Sequence, residues 1–233
     1  MKRSLEQMME TEELSKNTVP MDSYFGVFFE QMKKSLVAGG SELGLGMTLF
    51  SLVVSTKSTR LLEIGRFKGF STLCLASALK FLDIGWDEPM QHKQRPDVDY
   101  HLWENLPKGK LLSIDPFPTE EAENLICQAS LTDYVEFINS RSDEVVLEGE
   151  YDLMFIDGDH TYDGCKSDVL SYVPWHLKSG GYFILHDYYG WYDSHNQNNS
   201  PIKKVVDEII EDGVCERILI DTGYMSFVVF RKW

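Results

Sequence analysis

Apolar residues in the middle of this chain form short unbroken runs: Arg60 to Ile64, Lys110 to Asp115, Tyr134 to Ile138, Tyr151 to Asp157 and Gly181 to Asp187. Runs of that length, closed by acidic or turn residues, are typical of strands buried on both faces, and such strands belong to parallel sheets. Between them the spacing predicts helices over Ser71 to Leu82, Glu120 to Ser130 and Tyr162 to Leu177, the last with Pro174 inside it. Strand and helix in alternation predict a doubly wound α/β fold, which binds ligands beyond the carboxyl ends of its strands. Those ends carry Glu63, Asp115, Asp157 and Asp187.

The flanks read differently. Residues 1–50 are helical and amphipathic in pattern, with Phe25, Phe28, Phe29, Met32 and Leu36 at near-helical spacing, and are expected to form a lid or appendage. Those aromatics are expected in the core or on a lid's underside. Near the other end, Ser200-Pro201 reads as a cap followed by proline at the first helical position, opening a helix to about Asp212. Arg217 to Asp221 and Tyr224 to Arg231 flank Thr222-Gly223, predicting an antiparallel hairpin that completes the sheet. Residues 51–233 thus read as the main domain, interrupted over about 83–109. Asp115 follows Gly69 by 46 residues, where a doubly wound unit brings its second acid after about 20. The excess is polar, aromatic and proline-broken, as a surface insertion would be.

Composition narrows the partners. With 22 Lys plus Arg against 37 Asp plus Glu, the formal charge is −15, and a field of that sign repels nucleic acid and anionic membranes. Cys74, Cys127, Cys165 and Cys215 are scattered without a C-x-x-C pair, which suits buried reduced thiols better than disulfides or a zinc site. No apolar run approaches the roughly 18 residues of a membrane span, so a cytoplasmic protein is expected.

The densest segment is LLEIGRFKGFST, Leu61 to Thr72, which joins a strand end, a glycine turn and a helix start. Gly65 and Gly69 allow positive φ and close ligand approach, and the helix directs unpaired N–H groups at whatever is bound. The spacing E-x-G-x-x-x-G differs from the dinucleotide fingerprint, and no G-K-[ST] for nucleotide phosphates follows. An acid beside glycines suits a cofactor with a cationic amine and ribose hydroxyls. Taken alone, the segment also reads as an ordinary βα turn.

This loop, then LLSIDPF, VEFINSRSDEV, FIDGDHTYDGCKSDV and GGYFILHDY resemble, in that order, the class I S-adenosylmethionine-dependent methyltransferases. The resemblance is strongest to small-molecule O-methyltransferases of the catechol and caffeoyl-CoA type and their macrolide-sugar relatives, and covers residues 45–190 best. It implies a Rossmann-like, mostly parallel seven-stranded sheet, S-adenosylmethionine as cofactor and a small hydroxylated acceptor. It places Glu63, Gly65, Gly69 and Ser71 at the methionine end of the cofactor, Asp115 at the ribose and Ser142 and Asp143 near the adenine. A carboxylate suits a ribose because it only accepts hydrogen bonds and two hydroxyls donate. Ser142 and Asp143 also read as a helix cap after Asn139.

In that family the strand at FIDGDH supplies a metal-binding aspartate, with a lysine base three residues on. The matching positions are Asp157 and His160. An imidazole of ordinary pKa near ~6.5 can take the acceptor's proton without the depression a lysine needs. The plainer alternative is that Asp159 and His160 turn the chain and cap the helix at Tyr162. Asp187 matches a second metal carboxylate, although Tyr188 replaces the asparagine of the catechol-type enzymes and His186 stands where sugar-modifying relatives carry an acid. Two carboxylates suit Mg²⁺, and an added imidazole moves the preference towards Mn²⁺, Fe²⁺ or Zn²⁺. Asp168 reads as a surface or capping carboxylate, and His92, His101, His176 and His195 as structural or solvent-facing. Tyr188 to Asn199 is expected to meet the acceptor together with the N-terminal helices. A metal-dependent hydrolase or oxygenase built from Asp157, Asp159, His160, His186 and Asp187 is the alternative enzyme, a non-catalytic cofactor-fold module the alternative outside catalysis, and a homodimer the assembly left open.

Overall fold

The computed structural model describes residues 24–37, 43–84, 106–189, 200–213, 215–220 and 226–233. The N-terminal 23 residues, most of the expected insertion, residues 190–199, the expected turn at Thr222-Gly223 and His92, His101 and His195 lie outside the described residues.

Among the described residues seven strands form one sheet: β1 (Arg60–Ile64), β2 (Lys110–Ile114), β3 (Val135–Ile138), β4 (Tyr151–Ile156), β5 (Leu177–His186), β6 (Cys215–Ile220) and β7 (Phe227–Lys232). Their order across the sheet is β3-β2-β1-β4-β5-β7-β6. The five strands from β3 to β5 are parallel, and β7 runs antiparallel between β5 and β6. The expected doubly wound sheet with its antiparallel end is therefore the observed one. Chain order reverses between β1 and β4, and the crevice of such a fold opens at that switch point.

Among the described residues six helices cover the sheet: α1 (Tyr24–Val37), α2 (Leu43–Thr56), α3 (Phe70–Ile84), α4 (Glu120–Gln128), α5 (Tyr162–His176) and α6 (Pro201–Glu211). Alternate side chains of each strand serve opposite faces. Leu61, Leu111, Leu153 and Phe155 pack in one core with Met32, Leu45, Leu49 and Val53 of α1 and α2 and with Leu73 of α3. Leu62, Ile64, Met154 and Ile156 pack in the other core with Val169 and Val173 of α5 and with Val205 and Val206 of α6. Helix α2 crosses the expected boundary at residue 50, and Leu45, Leu49 and Val53 have no exposed surface.

Several details depart from the sequence pattern. Strand β5 begins at Leu177 rather than Gly181, because Leu177 pairs with Tyr151 before an irregularity realigns Leu153 with Tyr182. Lys232 of β7 donates from its Nζ to the carbonyls of Val173, Pro174 and Leu177 at 3.3, 2.7 and 2.6 Å. A cation there suits the negative end of the helix, and it shares Val173 O with the Leu177 N–H. Cys127 is exposed, unlike the three buried thiols, because it lies on the outer face of α4 while Ala122 and Ile126 face inward. No helix among the described residues is long and apolar enough to cross a membrane.

Candidate active site

The C-terminal edge of β1, β2 and β4 is drawn together at the glycine loop. Gly65 N–H donates to Ile114 O at 2.9 Å, and Asp157 N–H donates to Ile64 O at 2.8 Å. Gly65 has φ +82, and a Cβ there would lie 2.0 Å from the backbone oxygen of Asp157. Only glycine fits both the conformation and the contact. Gly69, also at positive φ, closes the loop by donating to Arg66 O and accepts the first helical bond of α3 from Leu73.

Glu63 has no exposed surface. Its carboxylate accepts from Ser71 Oγ and Thr72 Oγ1 at 2.6 Å each and from Ser113 Oγ at 2.5 Å. Burial raises the Glu63 pKa against the pull of those three hydroxyls and of Arg66. The acid thus clamps the first turn of α3 to β2, and Ser71 sits over it at the loop.

Asp115 is turned the other way, towards the loop itself. Its Oδ2 accepts from Arg66 N at 2.9 Å and Phe67 N at 3.1 Å, and its Oδ1 accepts from Phe117 N at 2.8 Å. The side chains of Phe67 and Phe117 are exposed beside it. Arg66, which the sequence did not single out, is 2% exposed and reaches beneath the loop. Its Nη1 donates to Ser113 O and Ile138 O, its Nη2 donates to Asn139 Oδ1, and its guanidinium lies 4.9 Å from the centre of the Phe137 ring.

Ser142 and Asp143 lie in a 3₁₀ turn beyond β3. Ser142 Oγ donates to Asp168 Oδ1 at 2.6 Å, and Tyr172 of α5 donates to Ser142 O. Asp143 is exposed and paired with Arg141 at 2.9 Å. Asp168 corrects the expected surface carboxylate: it is 6% exposed, faces the same side of α5 as Cys165, Val169 and Tyr172, and burial raises its pKa.

The other half of the site stands at the ends of β4 and β5. His160 bridges two carboxylates, with Nε2 3.1 Å from Asp157 Oδ1 and Nδ1 3.2 Å from Asp187 Oδ2. His186 Nδ1 lies 3.1 Å from the same Asp157 oxygen. Asp187 occupies the left-handed region at φ 53, a conformation uncommon outside glycine. Burial raises the Asp157 pKa, but the two histidines outweigh it and the net shift is downward. Asp187 is raised, by burial first and then by Asp157. His160 is raised because Asp157 accepts its N–H, with burial opposing. The ordinary imidazole pKa expected from sequence is therefore corrected upward.

Asp159 stands apart from this cluster, accepting from Thr161 N at 2.8 Å, and Thr161 rather than His160 caps α5. The hydrolase or oxygenase constellation thus lacks one of its five residues. His176 binds Gly149 O at 2.9 Å and is structural.

Asp157, His186 and Asp187 each offer a ligand atom, all within 4.8 Å of one another. Asp187 Oδ1 is buried with no hydrogen-bond partner. His186 Nδ1, 3.7 Å away, is too far to hydrogen-bond it, so that oxygen keeps a lone pair for a further partner. Two carboxylates and an imidazole around it are a donor set that fits a divalent cation.

A family model described as a methyltransferase domain matches residues 62–188, more than half of the chain. No curated protein matches the sequence. Among solved structures, the O-methyltransferase from Bacillus cereus in complex with SAH aligns with TM-score 0.64 and 16% identity, covering 95% of this chain and 96% of that one. The SAH-bound methyltransferase from Podospora anserina aligns with TM-score 0.64 and 16% identity over 100% and 98% of the two chains. The O-methyltransferase TomG from Streptomyces achromogenes, involved in tomaymycin synthesis and in complex with SAM, gives 0.59 and 16% over 94% of each. At these identities the likeness is one of fold.

Proposed function

The chain belongs to the methyltransferase-domain family, and we propose that it is an S-adenosylmethionine-dependent O-methyltransferase acting on a hydroxyl of a small molecule with the help of a divalent cation. The observation that carries this reading is the juxtaposition of two unlike half-sites at one switch point. A glycine loop beside Asp115 stands next to the Asp157, His160, His186 and Asp187 cluster, and Gly65 touches the backbone of Asp157.

The cofactor supplies a methyl group on a positive sulfur. Asp115, already pinned by three backbone N–H groups, is placed to accept from ribose hydroxyls, and Gly65, Gly69 and Ser71 line the loop where the amino-acid end would lie. Glu63 shapes that end through Ser71 and Thr72. Ser142 and Asp143 border the nucleobase end.

A divalent cation held by Asp157, Asp187 and His186 would lower the acceptor hydroxyl's pKa and orient it. His160 takes the hydroxyl's proton in this reading. Both of its nitrogens face carboxylates, so it must release one of them before it can accept. Its side chain is 47% exposed, which leaves room for that movement. The net charge and the acidic site favour a small neutral or cationic acceptor over nucleic acid.

Titration calorimetry with S-adenosylmethionine tests the core of the reading, followed by methyl transfer to a panel of hydroxylated aromatic compounds and sugars with and without chelator. Binding, turnover and loss of turnover on chelation are expected. Absence of cofactor binding by the folded protein would sink the whole assignment, and turnover indifferent to chelation would remove the metal from it.

A further inference from the structure

Arg66 and Asn139 form a polar pair that neither the glycine loop nor the acid–histidine cluster explains. Arg66 follows the first loop glycine, and Asn139 follows the last residue of β3. Asp115 N–H donates to Ile138 O at 3.0 Å, so Asn139 stands beside the acid proposed for the ribose, on the outer side of the cofactor site. A guanidinium has five donors and no acceptor, so the amide atom facing Arg66 must be the carbonyl oxygen. Arg66 cannot turn away to satisfy another orientation. It is 2% exposed, holds the carbonyls of Ser113 and Ile138, and stacks on Phe137. Asn139 itself is exposed, its oxygen is committed to the buried Arg66, and among the described residues nothing accepts from its Nδ2.

We infer that Arg66 fixes the Asn139 amide so that its NH₂ group is a ready-made donor for a ring nitrogen of the cofactor's nucleobase, making Asn139 a binding residue and Arg66 a positioning residue. The inference rests on the proposed S-adenosylmethionine site. An adenine ring offers acceptor nitrogens at three places, and an amide NH₂ complements any of them. The neighbouring side-chain hydroxyl, Ser142 Oγ, is engaged with Asp168, which leaves Asn139 as a preset side-chain donor on this rim.

The test is Asn139→Asp, measured by calorimetry with S-adenosylhomocysteine and with adenosine. The variant is isosteric and keeps an acceptor for Arg66, now charged, so a purely structural Asn139 tolerates it. A nucleobase donor does not: two acceptors then face each other, and both ligands should weaken by about tenfold or more. The unchanged protein provides a second readout that does not depend on how the variant folds. Of 1-deaza-, 3-deaza- and 7-deazaadenosine, one should bind more weakly than adenosine to the wild type, and Asn139→Asp should not distinguish that analogue from adenosine. Wild-type affinity in Asn139→Asp, or equal binding of all three analogues to the wild type, would overturn the inference. Failure of the wild type to bind S-adenosylhomocysteine would instead overturn the cofactor assignment beneath it.

Discussion

The two halves of the site satisfy their carboxylates in opposite ways. Around β1 and β2, Glu63 and Asp115 are held by hydroxyls and backbone N–H groups, partners whose charge does not change with pH. Around β4 and β5, Asp157 and Asp187 face two imidazoles, and one oxygen of Asp187 has no hydrogen-bond partner. In the first half both carboxylates are satisfied by the chain's own donors, as a cradle for a ligand would be. The second sets carboxylates against titratable imidazoles and, in the proposed reading, takes a positive charge from outside. A cradle and a charge-seeking cluster side by side suit a reaction in which one substrate must be held still and the other must lose a proton.

The largest expected effect comes from breaking the seam between the halves. In Gly65→Ala the new Cβ would occupy the space of the Asp157 carbonyl, and φ +82 is unfavourable for alanine as well. Stability should fall by about 4 kcal/mol or more, measurable as a collapsed urea midpoint or a failure to fold. A stable, cofactor-binding alanine variant would show that the two halves are not locked together there.

Next in size is a change confined to the second half. His160→Ala should lower turnover by about 10²- to 10⁴-fold, the range for loss of a positioned proton acceptor, and leave calorimetric affinity for S-adenosylhomocysteine nearly unchanged. Equal loss of cofactor affinity would place His160 in the cradle rather than in the cluster. Undiminished turnover would leave it as a surface link between Asp157 and Asp187.

A smaller effect is expected in the cradle. Ser113→Ala removes one of the three donors on fully buried Glu63, and should cost about 1–3 kcal/mol of stability in chemical denaturation. Metal affinity should not follow. If metal binding weakened in step with stability, the independence of the two halves would be lost.

What could be read from the sequence divides along physical lines. Short apolar runs exposed β1, β2 and β4 with their acidic ends almost residue by residue, since burial on both faces favours apolar side chains, and the same kind of run marked the edge strand β3 despite its exposed Glu136. The start of β5 was hidden because Lys178-Ser179-Gly180-Gly181 has turn chemistry, and only pairing with β4 carries it into the sheet. Asp168 was legible after all: it falls with Cys165, Val169 and Tyr172 on one helical face. Asp157, His186 and Asp187 were named from motif positions, but the left-handed backbone that aims Asp187 has no sequence signature in an aspartate. Arg66 and Asn139 are 73 residues apart, and nothing local to either announces the other.

The finest separation of the halves is by pH. Asp157 holds the His160 proton, so the folded-state pKa of His160 lies above its ordinary value, and the sign of the linkage follows. That group's contribution to stability is complete below the unfolded pKa of ~6.5 and drains away as pH rises through the raised folded value. Asp157 acts in reverse: its lowered pKa contributes above the unfolded value of ~3.9 and is lost as pH falls through the folded one. Chelator-treated protein should therefore melt highest in mildly acidic solution, between those limits, and decline on the alkaline side. In His160→Gln the alkaline decline should flatten, because glutamine reaches the same carboxylates without a titratable proton. The effect should be small, since His160 is half exposed and solvent screens its pairs. Parallel melting curves for wild type and His160→Gln between pH 5 and pH 9, the range around the imidazole pKa, would show that His160 is not charged between the two aspartates and that both halves are governed by fixed donors alone.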